Sequence, residues 1–156
     1  MRGFTLRTAC HSTICDSQKG HLMAAPGITL FSPPGIAPVA GYHHGAKAGG
    51  FLFIAGQIAK DADGNWVGLG DAAAQSAQIW HNIGLLLAEA GAGPENIVKV
   101  TTIMTDRAHR EAVSTARRNF LGDHRPPHTG FIVTGLGSPE VMMEVEVIAW
   151  LGPDAQ

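Results

Sequence analysis

Two segments of strand length, residues 51–55 and 97–104, carry apolar side chains on both of the faces that a β-strand presents. Residues 72–90 and about 106–121 show the 3.6-residue apolar spacing that predicts two amphipathic helices. Two helices can cover only one side of the sheet that such strands form. Because a large apolar sheet surface is rarely left to water, we expect a homo-oligomer with the open sheet face at or near its centre.

Capping and turn residues complete an α+β order of strand, strand, short hairpin, helix, strand, helix, strand, strand. Asp71 is a good N-cap for the first helix, and Gly122 provides a stop for the second. The pair Asp63-Gly64 predicts the hairpin turn. Asp61-x-Asp63-Gly64 also begins like a calcium loop, but the later ligands of such a loop are missing. The other predicted strands are residues 42–47, 131–134 and 142–150.

Length, charge and cysteine use narrow the class of protein. The 156 residues suffice for one domain, and 11 basic against 13 acidic residues leave no basic stripe for nucleic acid. We expect no membrane span, because no apolar run approaches roughly 18 residues. Cys10 and Cys15 are the two cysteines, so we expect a reducing, cytoplasmic compartment. Their loose spacing beside His11 and His21 argues against a metal site.

Residues 1–28 are predicted to be an N-terminal extension, and residues 29–156 a single domain. Three basic residues and several hydroxyl side chains make the extension faintly similar to a transit peptide. We favour the plainer interpretation that the start codon is assigned too early and that Met23 is the true start. The prolines at positions 33, 34 and 38 then predict an extended lead-in rather than a helix.

The closing strand holds the first candidate for a ligand site. By alternation, Glu144 and Glu146 share one face about 7 Å apart, and this face becomes apolar at Ile148. Two carboxylates are unusual on such a face of a strand interior. The structural alternative is that both are solvated, or paired with Lys99 or an arginine. The pattern leaves these two interpretations open.

A second candidate is the segment in which His128, Thr129 and Gly130 follow two prolines at a strand entrance. His128 can serve as a general base, a proton donor or an anion partner, although a lone histidine is more often structural. His43 and His44 would point to opposite faces of a strand, so they cannot chelate one metal together. The arginines of the second helix are predicted to form a solvated face rather than a binding patch: Arg107, Arg110, Arg117 and Arg118.

Four segments stand in an order that is specific as an ensemble: Ala55-Gly56-Gln57 after an apolar strand, residues 97–101, Pro127-His128-Thr129, and Val145-Glu146 in the closing strand. Over residues 33–151 the chain resembles the Rid (YjgF-like) family of reactive-intermediate deaminases. The resemblance implies a chorismate-mutase-like α+β fold, with a mixed sheet and two helices packed on one face. It also implies a homotrimer with a ligand cleft at each subunit interface, which agrees with the open sheet face.

The resemblance further implies hydrolysis of imines and enamines to a carbonyl compound and ammonia, without a metal or a cofactor. It places Tyr42 and Glu144 at the family's tyrosine and glutamate, and Gly56 at the glycine whose backbone lines the cleft. Two positions depart from the family pattern. Ala55 stands where the serine would be, and His128 stands where the arginine would be.

The second departure bears on the substrate, because arginine offers a carboxylate a permanently charged fork and a neutral histidine cannot grip two oxygens. Losing such a contact costs roughly 1.5 to 3 kcal/mol, or about ten- to a hundred-fold in affinity. We therefore expect a deaminase whose substrates are shifted away from 2-imino acids, or alternatively a non-catalytic trimer that binds a small metabolite. The predicted catalytic residues are Glu144, His128 and Tyr42, and the predicted substrate contacts are Ala55, Gly56, Thr129 and Gly130.

Overall fold

A computed structural model describes residues 25–153, where six strands form one sheet and two helices lie against it. The helices are α1 (Ala72–Glu89) and α2 (Arg110–Leu121). The strands are β1 (Ile28–Phe31), β2 (Gly45–Ala48), β3 (Phe51–Gln57), β4 (Ile97–Met104), β5 (His128–Ile132) and β6 (Met143–Trp150). Their spatial order is β1-β2-β3-β6-β4-β5. The β4–β5 pair is parallel and the other neighbouring pairs are antiparallel, so the mixed sheet is confirmed.

Helix α1 forms where the sequence predicts it. The Asp71 carboxylate accepts hydrogen bonds from the backbone N–H groups of Ala73 and Ala74, at 2.9 and 3.1 Å. These bonds satisfy two of the amides that a helix start leaves unpaired. The apolar stripe of α1 is buried in contact with β3 and β6: Ile79, Ile83, Leu86 and Leu87.

Helix α2 begins later than predicted, since a short 3₁₀ turn precedes it at Arg107–His109. Asp106 caps this turn by accepting from the backbone N–H of Ala108 at 2.8 Å. Gly122 ends α2 with a φ of 57°, in the left-handed region that glycine enters without strain. The two helices pack together, with the rings of Trp80 and Phe120 stacked 4.9 Å apart.

The two faces of the sheet are covered differently. Along β3 and β6, the residues that point toward the helices are buried and alternate with partly exposed ones on the other face. On this open face, the exposed fraction is 44% for Phe53, 53% for Phe131 and 39% for Trp150. In residues 25–153 both helices therefore pack on one side, as predicted, and the other side presents aromatic surface.

Two strand predictions were wrong in their bounds, and one strand was not predicted. Strand β2 begins at Gly45 rather than at residue 42, because the preceding residues form a bend that buries His44. Strand β5 begins at His128 and ends at Ile132, because it follows the parallel ladder along β4. Strand β1 was not predicted. It is short and largely exposed, and it is defined by its pairing with β2, where the Phe31 ring lies over Gly45.

Candidate active site

Glu144 lies in the middle of the sheet, on β6, which is flanked by β3 and β4. It pairs with Ile103 of β4 and is half-buried on the open face, while Met143 and Val145 on either side are buried under the helices. The alternation predicted for the closing strand is thus present, and it directs the carboxylate away from the core.

Three of the residues predicted from the resemblance come together with Glu144. Tyr42, Ala55, Gly56 and Glu144 line one cavity of about 560 Å³, which we call the glutamate cavity. Tyr42 lies at its rim, where its side chain is 51% exposed. Six further residues that were not predicted from the sequence line it: Ile58, Lys60, Trp66, Gly137, Ser138 and Val141.

Lys60 and Trp66 enter this site through the predicted hairpin. They pair across an isolated β-bridge, and the Lys60 Nζ lies 4.6 Å from the centre of the Trp66 ring. The Asp61 carboxylate shapes the intervening turn by accepting from the backbone N–H groups of Asp63 and Asn65. The hairpin was predicted from Asp63-Gly64, but its closeness to β6 could not be read from local sequence.

A β-bulge in β3 brings Gly56 against Glu144. Ile54 pairs with Val147 and Gln57 with Val145, so two residues of β3 stand opposite Glu146 alone. A Cβ added to Gly56 would lie 1.7 Å from the Glu144 Oε1. Glycine is therefore required here for a close approach between backbone and carboxylate.

Buried polar side chains stabilise the bulge through hydrogen bonds. The Gln57 side-chain amide donates to the Ala55 carbonyl at 2.9 Å, and it lies 3.2 Å from the His44 Nδ1. The His44 Nε2 lies 2.9 Å from the Ala37 carbonyl, which can only accept a hydrogen bond. His44 thus donates from Nε2 to Ala37 and accepts at Nδ1 from Gln57, and these bonds position the Gln57 side chain.

The environment of Glu144 favours its protonated form. Burial raises the pKa of the carboxyl, and the nearby negative charge of Glu146 raises it further. Among residues 25–153, no side chain donates a hydrogen bond to this carboxylate. A half-buried carboxylate with a raised pKa is a stronger base than an exposed one, and it can exchange a proton with a bound molecule.

His128 lies elsewhere. It is the first residue of β5, pairs with Val100 on the helix-covered side, and places its Nε2 3.1 Å from the Thr102 hydroxyl. His128 and Gly130 line a second cavity of about 390 Å³, which we call the basic cavity because Arg107, Arg110 and Arg117 also line it. Within one chain, the structure does not bring His128 or Gly130 to Glu144.

The remaining predicted contact, Thr129, points away from the basic cavity. It pairs with Thr101, and its hydroxyl accepts a hydrogen bond from the Lys99 ammonium. Burial lowers the pKa of His128, and the positive charges of Arg117 and Lys99 lower it further. His128 is therefore a neutral imidazole near pH 7.

The sequence is similar to that of known proteins over most of its length. The family model described as endoribonuclease L-PSP matches residues 34–151, which is most of the chain. A RutC family protein of Synechocystis is 34% identical over 116 residues, covering 74% of this chain and 89% of its own. The chain belongs to the Rid (YjgF-like) family.

Solved structures of similar proteins share the fold. The crystal structure of yeast Mmf1 superposes with a TM-score of 0.75 at 28% identity, covering 80% of this chain and 99% of that chain. A Rid-family protein from Yersinia pestis gives a TM-score of 0.73 at 25% identity, with coverages of 79% and 98%. The Rid-like α+β fold expected from the sequence is confirmed.

Within residues 25–153, no three His, Cys, Asp or Glu side chains lie close enough to hold one ion. The Cys10, Cys15, His11 and His21 group considered from sequence lies outside the described residues. Each helix within residues 25–153 is too short or too polar to span a bilayer.

Proposed function

We propose that this chain is an imine or enamine hydrolase that forms a carbonyl compound and ammonia, and that it acts as a cytoplasmic homotrimer without a cofactor. Membership of the Rid family supports this reaction class, or binding of a small molecule, at the level of the family. The observation that carries the proposal is the half-buried Glu144 carboxylate, with its raised pKa, in a cavity beside Tyr42 and Gly56.

In the proposed reaction, Glu144 takes a proton from water while the water oxygen bonds to the imine carbon and the C=N π electrons move to nitrogen. Proton transfer to that nitrogen makes it a leaving group. The C–N bond then breaks, the oxygen loses its proton, the C=O bond forms, and ammonia departs. One water is consumed and no oxidant is needed. Tyr42 shapes the pocket, and His128 shuttles a proton or contacts the substrate.

The trimer is proposed because one chain keeps these groups apart. Glu144 is on the open face, whereas His128 is on the helix-covered side of the edge strand β5. An interface over the open face would cover Phe53 and Trp150, and the edge strand of one subunit could then reach the glutamate cavity of the next. Light scattering on the full chain should give a trimer, and a monomer at micromolar concentration would refute this part of the proposal.

Ammonia release tests the chemistry. The full chain is assayed with neutral and carboxylated imines generated in solution, and wild type is compared with Glu144→Gln and with Glu146→Gln. Glu146 is a matched control, because it is on the same face of β6 two residues further along and does not line the glutamate cavity. We expect saturable turnover that Glu144→Gln abolishes and Glu146→Gln preserves. No acceleration with any imine would sink the enzyme proposal.

The departure at position 128 predicts the substrate class. A neutral His128 cannot hold a carboxylate as an arginine fork does, so we propose that 2-imino acids are poor substrates compared with neutral imines. His128→Arg should then raise activity on 2-imino acids by about ten-fold or more. The absence of any gain in the variant, with trimer assembly intact, would count against this assignment.

A second candidate function is a trimer that binds a small metabolite without turnover. Two observations favour it: Ala55 offers no hydroxyl to the glutamate cavity, and within residues 25–153 no side chain donates a hydrogen bond to Glu144. Binding of an imine product or analogue that Glu144→Gln weakens, without ammonia release, would support the binder over the enzyme.

A further inference from the structure

The basic cavity was not anticipated from the sequence. It opens beside β5, with α2 and the turn before it on one side, and the helix-covered side of the sheet on the other. Its polar lining comes from two hydroxyls, Thr102 and Ser114, and from the four basic side chains of Arg107, Arg110, Arg117 and His128. No aspartate or glutamate lines it.

The positive charge of this cavity is not neutralised by the part of the chain that the structure describes. The ion pairs formed within residues 25–153 join Arg118 to Glu111 at 3.0 Å and Arg125 to Asp123 at 4.0 Å. Neither pair includes an arginine of the basic cavity. The neighbours Arg117 and Arg118 therefore differ: Arg118 is exposed and paired, whereas Arg117 is half-buried and lines the cavity.

Removing a guanidinium from water without a counter-charge is unfavourable. Burial lowers the pKa of Arg117, and the adjacent charge of Arg118 lowers it further. Burial also lowers the pKa of His128, as do the charges of Arg117 and Lys99. A bound anion would relieve this repulsion and would raise the pKa of His128 toward or above its usual value.

We propose that the basic cavity binds a small oxyanion, the carboxylate or phosphate group of a metabolite, through the guanidinium of Arg117. Arg107 and Arg110 add positive charge from more exposed positions, and Ser114 provides a hydroxyl donor. A guanidinium fork matches both carboxylate and phosphate oxygens in a bidentate way. Anion binding here needs only one chain, so it goes beyond the proposed hydrolysis and does not depend on it.

The basic cavity also bears on the role of His128, which stands where the family has an arginine according to the resemblance. Relative to the pattern that the resemblance implies, β5 lacks a permanent positive charge at this position, but α2 supplies Arg110 and Arg117 to the same cavity and the turn before it supplies Arg107. The anion is therefore bound by arginines on the helix side of the cavity, and its binding raises the pKa of His128.

Titration of the full chain with inorganic phosphate, and separately with acetate, tests the proposal at low ionic strength. Binding is followed by calorimetry and by the NMR titration of the His128 imidazole. Arg117→Gln should weaken binding by about ten-fold or more, and Arg118→Gln by less than about two-fold. Arg117→Lys keeps the positive charge without the guanidinium fork, so its loss of affinity should lie between the losses of the two glutamine variants. This variant tests the proposal if Arg117→Gln folds poorly.

Bound anion should raise the pKa of His128 in wild type and in Glu144→Gln alike, so that failure of the hydrolase proposal leaves this result intact. Tighter binding of phosphate assigns the site to phosphate groups, and tighter binding of acetate assigns it to carboxylates. Absence of saturable binding by either anion overturns the proposal. Equal losses from Arg117→Gln and Arg118→Gln, or binding of a single-stranded RNA alone, would overturn it in favour of diffuse surface charge.

Discussion

The glutamate cavity and the basic cavity lie on opposite faces of one sheet and differ in charge. The first holds a carboxylate whose pKa is raised, and the second holds arginines and a histidine whose pKa is lowered. In both, loss of water is the largest cause, because it disfavours whichever form is charged. The sheet separates the Glu144 carboxylate from the arginines of the basic cavity, so that a ligand or another subunit, rather than the chain itself, can pair these groups.

The largest expected effect contrasts the two faces directly, through neighbours on β3. Leu52→Ala removes a fully buried side chain from the helix-covered face, and should lower the free energy of unfolding by about 2–5 kcal/mol. Phe53→Ala removes a larger side chain that is 44% exposed on the open face, and should cost a single chain much less. Urea unfolding at low protein concentration measures both, and equal losses would contradict the one-sided core.

A second effect concerns the attachment of β6 to the helix layer. The buried Gln75 side chain donates to the Glu140 carbonyl at 2.8 Å and accepts from the Met142 N–H at 3.1 Å, just before Glu144. Gln75→Leu leaves both backbone groups unpaired, and should lower the free energy of unfolding by about 1–3 kcal/mol.

Gln78→Leu is the matched control for this change on α1. The Gln78 amide donates to the Lys60 carbonyl, which also accepts from Asn82, and to the Asn82 Oδ1. Gln78→Leu therefore removes the partner of one side-chain oxygen, whereas Gln75→Leu removes the partner of two backbone groups. Chemical denaturation of both variants should show the larger loss for Gln75→Leu. The reverse order would mean that the link between α1 and β6 contributes little.

A smaller effect tests the close approach on the open face. Gly56→Ala introduces a Cβ where the Glu144 carboxylate now lies, so the flexible side chain must turn toward solvent. We expect the pKa of Glu144 to fall toward its ordinary value, with less than about 1.5 kcal/mol lost from stability. Carbon-detected NMR titration of the glutamate carboxyls measures the shift. Gly135→Ala is the control, since nothing lies within 4 Å of its added Cβ.

The smallest effect is a pH dependence of stability. The pKa of Glu144 is raised by folding, so the unfolded chain releases its proton first, and stability falls as pH rises from about 4 through the folded pKa. Glu144→Gln removes this loss, and its advantage over wild type should grow with pH and then level off. An advantage that is largest in acid would contradict the sign.

His128 acts in the opposite direction. Folding lowers its pKa, so the unfolded chain takes up the proton first, and stability is lost as pH falls below about 6.5. The free energy of unfolding of wild type and of His128→Gln is compared between pH 5 and pH 8, at roughly constant ionic strength. The stability of wild type relative to the variant should fall toward acid. Deprotonation of Glu144 thus lowers stability as pH rises, and protonation of His128 lowers it as pH falls.

The elements that depend on local pattern were predictable. Asp71 and Gly122 mark helix ends through their own backbone chemistry, and the apolar stripe of α1 follows from a 3.6-residue period. The alternation of β6 placed Glu144 on the face away from the core, and the resemblance added Tyr42, Ala55 and Gly56 to its surroundings. Each of these inferences uses residues close in sequence, or an order of motifs along the chain.

What joins distant segments was decided by the tertiary structure alone. The bulge that presses Gly56 against Glu144 depends on how β3 registers with β6, and the separation of His128 from Glu144 depends on which side of β4 each strand faces. The four helix arginines looked alike in sequence, yet Arg118 pairs with Glu111 whereas Arg117 lines a cavity. Local pattern fixes which face a residue is on, but only packing determines what is opposite it.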